Sequence, residues 1–375
     1  MRVVIFVGHH KVGSSALQQH LGAVAPALVR QGLLYPAVTQ RDFEALQSAV
    51  KSGATTQKPV RNVAEAHNAL AFSMLADETG GTVPGFHENL PPTAEMFSLI
   101  REQIALFQPD TLVLAAEVFA NFAAVNPDLI RTLYSELGLI ASDDIEIFTY
   151  LRRIDEYLVS WHGQRVRFGQ KIRALPGKAL ANYIKGIHFD YRLMIEAWQT
   201  ARPGTGFVLR PYDNVVKRDG SVAIFASAMG LDLPPVEKSA NTVNQSIHRA
   251  VLDFARQANF DLEDHEKPKF FNAMLRVSTQ LDVTPPAQIE MFGLTARIMM
   301  YDRFAPINDW LSNLHGAPLF EDLDKVKEMR PIDEAYANID ALAHIKSSLM
   351  HEFTKPEKAF VLQLAVSRNF AARRG

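Results

Sequence analysis

The strongest constraint on the fold is an alternation along the chain. Short apolar runs rich in β-branched residues fall at 3–7, 111–115, 145–151 and 206–209, each followed by a longer helical pattern. Continuous apolar runs are what strands buried on both faces look like. Strand-then-helix repeats imply a parallel sheet covered by helices. Beyond residue 241 the pattern is almost wholly helical, clearest at 248–260, 286–300, 307–314 and 333–350. The segments 51–59 and 80–92 are rich in Gly, Pro, Thr and polar residues and read as loops. The second lies either over the active site or on plain surface. The expectation is an α/β core over residues 1–235 with a helical C-terminal region, 236–375, packed on it.

Composition narrows the chemistry. The 375 residues contain no cysteine, which excludes disulfides, thiolate metal sites and a Cys nucleophile. The twelve histidines form no metal-ligand motif, so no metal is expected. A net charge of −2 argues against a nucleic-acid binder. No run reaches eighteen uninterrupted apolar residues, and the opening MRVVIFV reads as a buried strand without a cleavage site after it. A cytoplasmic protein without membrane insertion is therefore expected.

The first strand leads into Gly8-His9-His10-Lys11-Val12-Gly13-Ser14-Ser15 and then a helix. Such a turn offers backbone N–H groups and the positive end of a helix dipole to an anion. Gly13 lets the backbone approach a phosphate, Ser14 and Ser15 add hydroxyls, and Lys11 adds a charge. The loop differs from Gly-x-x-x-x-Gly-Lys-Ser/Thr, because Ser14 stands where that motif has Lys and Lys11 precedes the second glycine. The second strand ends in Ala115-Ala116-Glu117, with no convincing Mg²⁺ carboxylate. The plain alternative is a Gly-Ser turn that caps a helix.

Three other strand ends carry chemistry. Arg152 and Arg153 close the third strand, and Ser160 lies about two turns into the next helix, where an Arg and a Ser can grip one phosphate from two sides. The competing reading pairs Arg152 with Asp155 or Glu156 on the surface. Glu117, at the end of a central strand beside a basic loop, is placed to accept a proton from an attacking hydroxyl or amine. Alternatively it is a helix-start carboxylate favoured by the dipole. Arg210-Pro211-Tyr212 ends the fourth strand, either as a turn or as part of the pocket. All four elements fall at carboxyl ends of strands, where open α/β sheets bind ligands.

The string HHKVGSSALQQHL (9–21) resembles the 5′-phosphosulfate loop of sulfotransferases that use 3′-phosphoadenylyl sulfate (PAPS), in the His-Lys-x-Gly-Ser-Ser form of bacterial, carbohydrate- and heparan-sulfotransferase-like members. YLRRIDEYLVSWHGQRV (150–166) resembles their 3′-phosphate motif. FVLRPYDNV (207–215), GSVAIFASAMGLDLP (220–234), NQSIH (244–248), FAPINDW (304–310) and APLF (317–320) are similar to the same family. The resemblance implies a P-loop-type parallel sheet flanked by helices. It also implies sulfuryl transfer from PAPS, without a metal, to a hydroxyl or amine, with a glycan as the expected acceptor. It assigns Lys11 and Glu117 to catalysis. Lys11, Val12, Gly13, Ser14, Ser15, Ala16, Arg152, Ser160 and Tyr212 would bind the co-substrate, with Arg153 as the alternative to Arg152. Members with a Glu at this point often carry Ser or Thr before it, where this chain has Ala115 and Ala116. His10 is a candidate contact to the sulfuryl group, and His67 and Trp161 to the acceptor. For these, and for His9 and the basic run Arg165, Arg167 and Lys171, structural roles compete. Two other classes stay open: a small-molecule or nucleotide kinase with a variant phosphate loop, and a non-catalytic protein that binds an anionic nucleotide or glycan.

Overall fold

The computed structural model describes residues 1–212, 220–235 and 246–372, with backbone alone for 367–372. The chain runs β1 (Arg2–Val7), α1 (Ser14–Arg30), β2 (Leu33–Leu34), α2 (Ala66–Thr79), β3 (Thr111–Ala116), β4 (Asp144–Leu151), α3 (Ile154–Arg167), α4 (Tyr191–Ala201), β5 (Gly206–Pro211) and α5 (Ser221–Met229). Shorter helices and loops join them. The five strands form one parallel sheet in the order β2-β3-β1-β4-β5. The protein is thus α/β, a parallel sheet flanked by helices with a helical C-terminal region. Each expected strand is present within two residues of its expected ends.

The order follows from burial. β1 and β3 are buried almost throughout, as VVIFV and TLVLAA require, and they occupy the middle. β5 is half-buried and takes an edge. The two-residue β2, the other edge, has no period of its own to announce it. The path out of β1 runs to the β2 edge, whereas β3 leads across β1 to β4. The strand order therefore reverses at β1, whose carboxyl end is the switch point at which open α/β sheets bind ligands.

Contacts divide the chain into two compact units, and the cut does not fall at 235. The first comprises Met1–Arg153, Gly186–Val243 and Pro306–Glu321; the second comprises Ile154–Lys185, Asn244–Ala305 and Asp322–Gly375. The expected boundary at 235/236 adjoins residues outside the description. α3 belongs to the second unit because its partners are there. Asn259 Nδ2 donates to Val166 O at 2.8 Å, Arg249 pairs with Glu156 at 2.8 Å, and buried Arg297 pairs with Asp155. Strand–helix alternation reports that a helix follows a strand, not which surface that helix buries.

The second unit is helical apart from a parallel pair of two-residue strands, β6 (Ile289–Glu290) and β7 (Ile332–Asp333). The helix expected over 286–300 is broken. A short 3₁₀ turn and β6 come first, and α6 (Leu294–His315) starts only at Leu294. Gly293 takes φ 81°, and Glu290 Oε1 accepts the N–H groups of Phe292 and Gly293 at 2.8 and 3.0 Å, an arrangement a continuous helix forbids. The pattern at 307–314 is the end of α6. That at 248–260 is helix Arg249–Asp261, capped by His248. The pattern at 333–350 is helix Glu334–His344, continued by a wider turn over Ile345–Leu349. Among the described residues no helix is long and apolar enough to cross a membrane.

Candidate functional site

The loop after β1 carries the most unusual backbone of the first unit. Lys11 takes φ 64° and Gly13 φ 79°, with buried Val12 between them. Left-handed conformation is costly for a lysine, and such strain persists where the surroundings over-determine it, commonly at functional sites. Left-handed residues interspersed in a turn can bring N–H groups to one side of the chain, the arrangement of an anion-binding concavity. Gly13 is needed for space as well. A Cβ there would stand 3.0 Å from both Ser221 Oγ and Tyr212 Cε2. Ser221 Oγ, at the start of α5, donates to Gly13 O at 3.1 Å and fixes the turn from the far side. α1 then starts at Ser14, which is buried; Ser15 is half-buried and Ala16 exposed.

Arg152 leaves the end of β4 and reaches this loop. Its Nη1 donates to Lys11 O at 3.1 Å, and its guanidinium lies 5.3 Å from the Tyr212 ring centre. Tyr212 is held by its own N–H, which donates to Leu151 O at 2.7 Å, and by an edge contact with Tyr150. Lys11, Gly13, Arg152 and Tyr212 thus form one cluster, although 201 residues separate Lys11 from Tyr212 (212 − 11). Asp155 and Glu156, the surface partners considered for Arg152, are engaged by Arg297, Arg330 and Arg249. Arg210 Nη1 turns back to Leu209 O at 2.8 Å.

Glu117 sits at the carboxyl end of β3, next to β1. Fully buried Gln18 of α1 donates through Nε2 to Glu117 Oε2 at 3.2 Å and to Ala115 O at 3.0 Å. A neutral donor on α1 thereby anchors the carboxylate in place of the hydroxyl that Ala115 and Ala116 lack. His10 lies close enough to feel both Glu117 and Lys11. Burial holds His10 below the usual histidine range; Glu117 opposes this and Lys11 adds to it. Burial, aided by His10, takes the neighbouring His9 down to about 3. Both imidazoles are neutral at physiological pH. Glu65 is a second carboxyl nearby. Burial pushes it up, Arg61 opposes, and Glu117 adds repulsion.

His67 stands beneath the site. It is fully buried, its Nδ1 accepts the Ala115 N–H at 3.0 Å, and the Tyr35 ring meets it edge-on at 4.5 Å. β2 has ended by this level of the sheet, so His67 satisfies a β3 amide that an edge strand would otherwise take. Burial lowers its pKa to about 3. Ser160 and Trp161 are half-buried on α3, in the second unit. So is Arg165, which donates to Gln170 Oε1 and lies over the Tyr183 ring; Arg167 and Lys171 are exposed. Loop 80–92 borders a separate polar hollow of about 510 Å³ that includes Arg61 and Phe86, and none of the candidate site residues lines it.

Sequence reasoning missed Gln18, Ser221, His188 and Tyr191. Tyr191 OH donates to Arg152 O at 2.9 Å and presents its ring edge to His9 at 4.3 Å; His188 lies about 6 Å from His9 and His10. Gln18 and Ser221 were inside recognised strings, 9–21 and 220–234, and so were within reach. His188 and Tyr191 come from a segment that carries no local signal.

No family model matches the chain, and no solved structure matches it. Over 204 residues it is 26% identical to an uncharacterized protein of Archaeoglobus fulgidus, covering 53% of this chain and 52% of that protein. The match spans about half the length of that relative.

Proposed function

We propose that the chain is a PAPS-dependent sulfotransferase that moves a sulfuryl group to a hydroxyl or amine, with a glycan as the first acceptor to test. The observation that carries this reading is the cluster of Lys11, Arg152 and Tyr212 at the carboxyl ends of β1, β4 and β5, with Glu117 at the end of the adjoining β3. The cradle suits an anion. Its backbone is left-handed at Lys11 and Gly13, a Cβ at Gly13 would close it, and two cationic side chains flank it.

In this reading the loop 11–16 holds the 5′-phosphosulfate. Arg152 holds the 3′-phosphate, and Tyr212 borders the adenine. The acceptor oxygen or nitrogen attacks sulfur in line. A new S–O or S–N bond forms as the bond from sulfur to the bridging phosphate oxygen breaks. Glu117, oriented by Gln18, takes the acceptor's proton. Lys11 neutralises the charge that develops on the leaving phosphate. His10, neutral by burial, is available to the sulfuryl oxygens as a hydrogen-bond donor. Positioning and electrostatics carry the step.

Calorimetric titration tests the reading. 3′-Phosphoadenosine 5′-phosphate is expected to bind at least tenfold tighter than ATP with Mg²⁺, roughly 1.4 kcal/mol or more. The reverse preference would assign the chain to the kinase class and remove the proposal.

A further inference from the structure

The second unit contains a hollow that the proposed transfer chemistry does not use. Its volume is about 670 Å³, within the range of small-molecule sites. Leu180, Ile184, Phe292 and Met299 supply apolar walls, and Lys185 and Arg303 supply two cations. A second hollow shares Thr295, Met299 and Arg303 with it, so the groove continues along the first turns of α6. On that helix Leu294 and Ile298 leave 54% and 44% of their surface in solvent.

The two cations decide the chemistry. The buried or half-buried cations Arg249, Arg256, Lys267 and Arg297 of this unit are paired with Glu156, Asp253, Asp264, and Asp155 and Glu290. Lys185 and Arg303 are exposed, like the unpaired Arg167, Lys171 and Lys269, and what sets them apart is that they stand at an apolar groove. Two glycines of the lining, Gly177 and Gly293, have φ 98° and 81° with nothing within 4 Å of where a Cβ would project. Ordinary residues are disfavoured at both, which keeps the walls low. We infer that this groove binds a single-chain amphipathic carboxylate, its alkyl chain along the apolar walls and its head group between Lys185 and Arg303.

The test is calorimetric titration of the full chain with octanoate, decanoate and dodecanoate below their micelle concentrations, with decanol and decyltrimethylammonium as head-group controls. Each added methylene should tighten binding about fourfold, the equivalent of roughly 0.8 kcal/mol. Decanoate should bind at least tenfold tighter than either control. Lys185→Ala combined with Arg303→Ala should abolish that preference and leave decanol binding unchanged. Ala181→Trp, at an exposed lining position, should abolish binding of every chain. If that variant does not fold, Arg303→Glu decides, since it must reverse the preference between decanoate and decyltrimethylammonium. Affinity independent of chain length, equal affinity for both charged head groups, or an unchanged titration in Ala181→Trp overturns the inference.

Discussion

His67 makes the acid sensitivity of the first unit calculable. Its ring is fully buried, its Nδ1 is committed to the Ala115 amide, and burial takes its pKa from an ordinary 6.5 to about 3. In the unfolded chain the imidazole takes up a proton as pH falls through about 6.5, while in the folded chain it does so only near 3. Its contribution to stability is therefore complete above the higher value and is lost on descending toward the lower one. From about pH 7 to about pH 5 the loss is about 2 kcal/mol. His67→Asn keeps an acceptor near the Ala115 N–H but cannot titrate. The variant should be less stable at both pH values, by roughly 1–3 kcal/mol for the lost ring. The decisive quantity is the change between the two pH values, read from urea unfolding of both proteins by circular dichroism. It should be about 2 kcal/mol smaller in the variant. His9, whose pKa also falls to about 3, contributes equally to both proteins and cancels. Equal losses in the two proteins would refute the assignment of His67 as a neutral support beneath β3.

Other outcomes follow from the same geometry. Gly13→Ala should cost about 1–2 kcal/mol in urea unfolding for its left-handed φ, and should weaken 3′-phosphoadenosine 5′-phosphate at least tenfold because Ser221 and Tyr212 crowd the new methyl. Glu117→Gln should lower kcat by roughly 10²–10⁴-fold with little change in nucleotide affinity, and Lys11→Ala should abolish turnover; wild-type turnover by Glu117→Gln would remove Glu117 from the mechanism. In the second unit, Arg297→Met removes the cation between buried Asp155 and Glu290 and should destabilise by about 3–5 kcal/mol. Arg297→Lys should recover little of this, because Nε meets Glu290 while Nη1 reaches Asp155 and Val326 O, and one ammonium cannot span them.

The sheet was legible in the chain for a simple reason. VVIFV, TLVLAA and DIEIFTYL are apolar on both faces because the strands they form are covered on both faces, and that requirement is local. The turn after β1 was legible for the same reason: a left-handed turn before a helix asks for glycine and small hydroxyl residues within a few positions. The break before α6 was not legible, since it depends on Glu290 capturing the N–H groups of Phe292 and Gly293 while also pairing with Arg297.

What the amino-acid order determined by itself was the four longer strands of the sheet, their parallel arrangement and the loop at the end of β1. What only the tertiary structure decided was company. Tertiary packing put Arg152 on the Lys11 carbonyl, Gln18 against Glu117, His67 under β3, and α3 with the helices of the second unit. Strand and turn preferences act over a few residues and leave a periodic trace. Contacts between segments far apart in the chain are chosen by burial and hydrogen-bond satisfaction over the whole fold, and no short stretch of sequence records them.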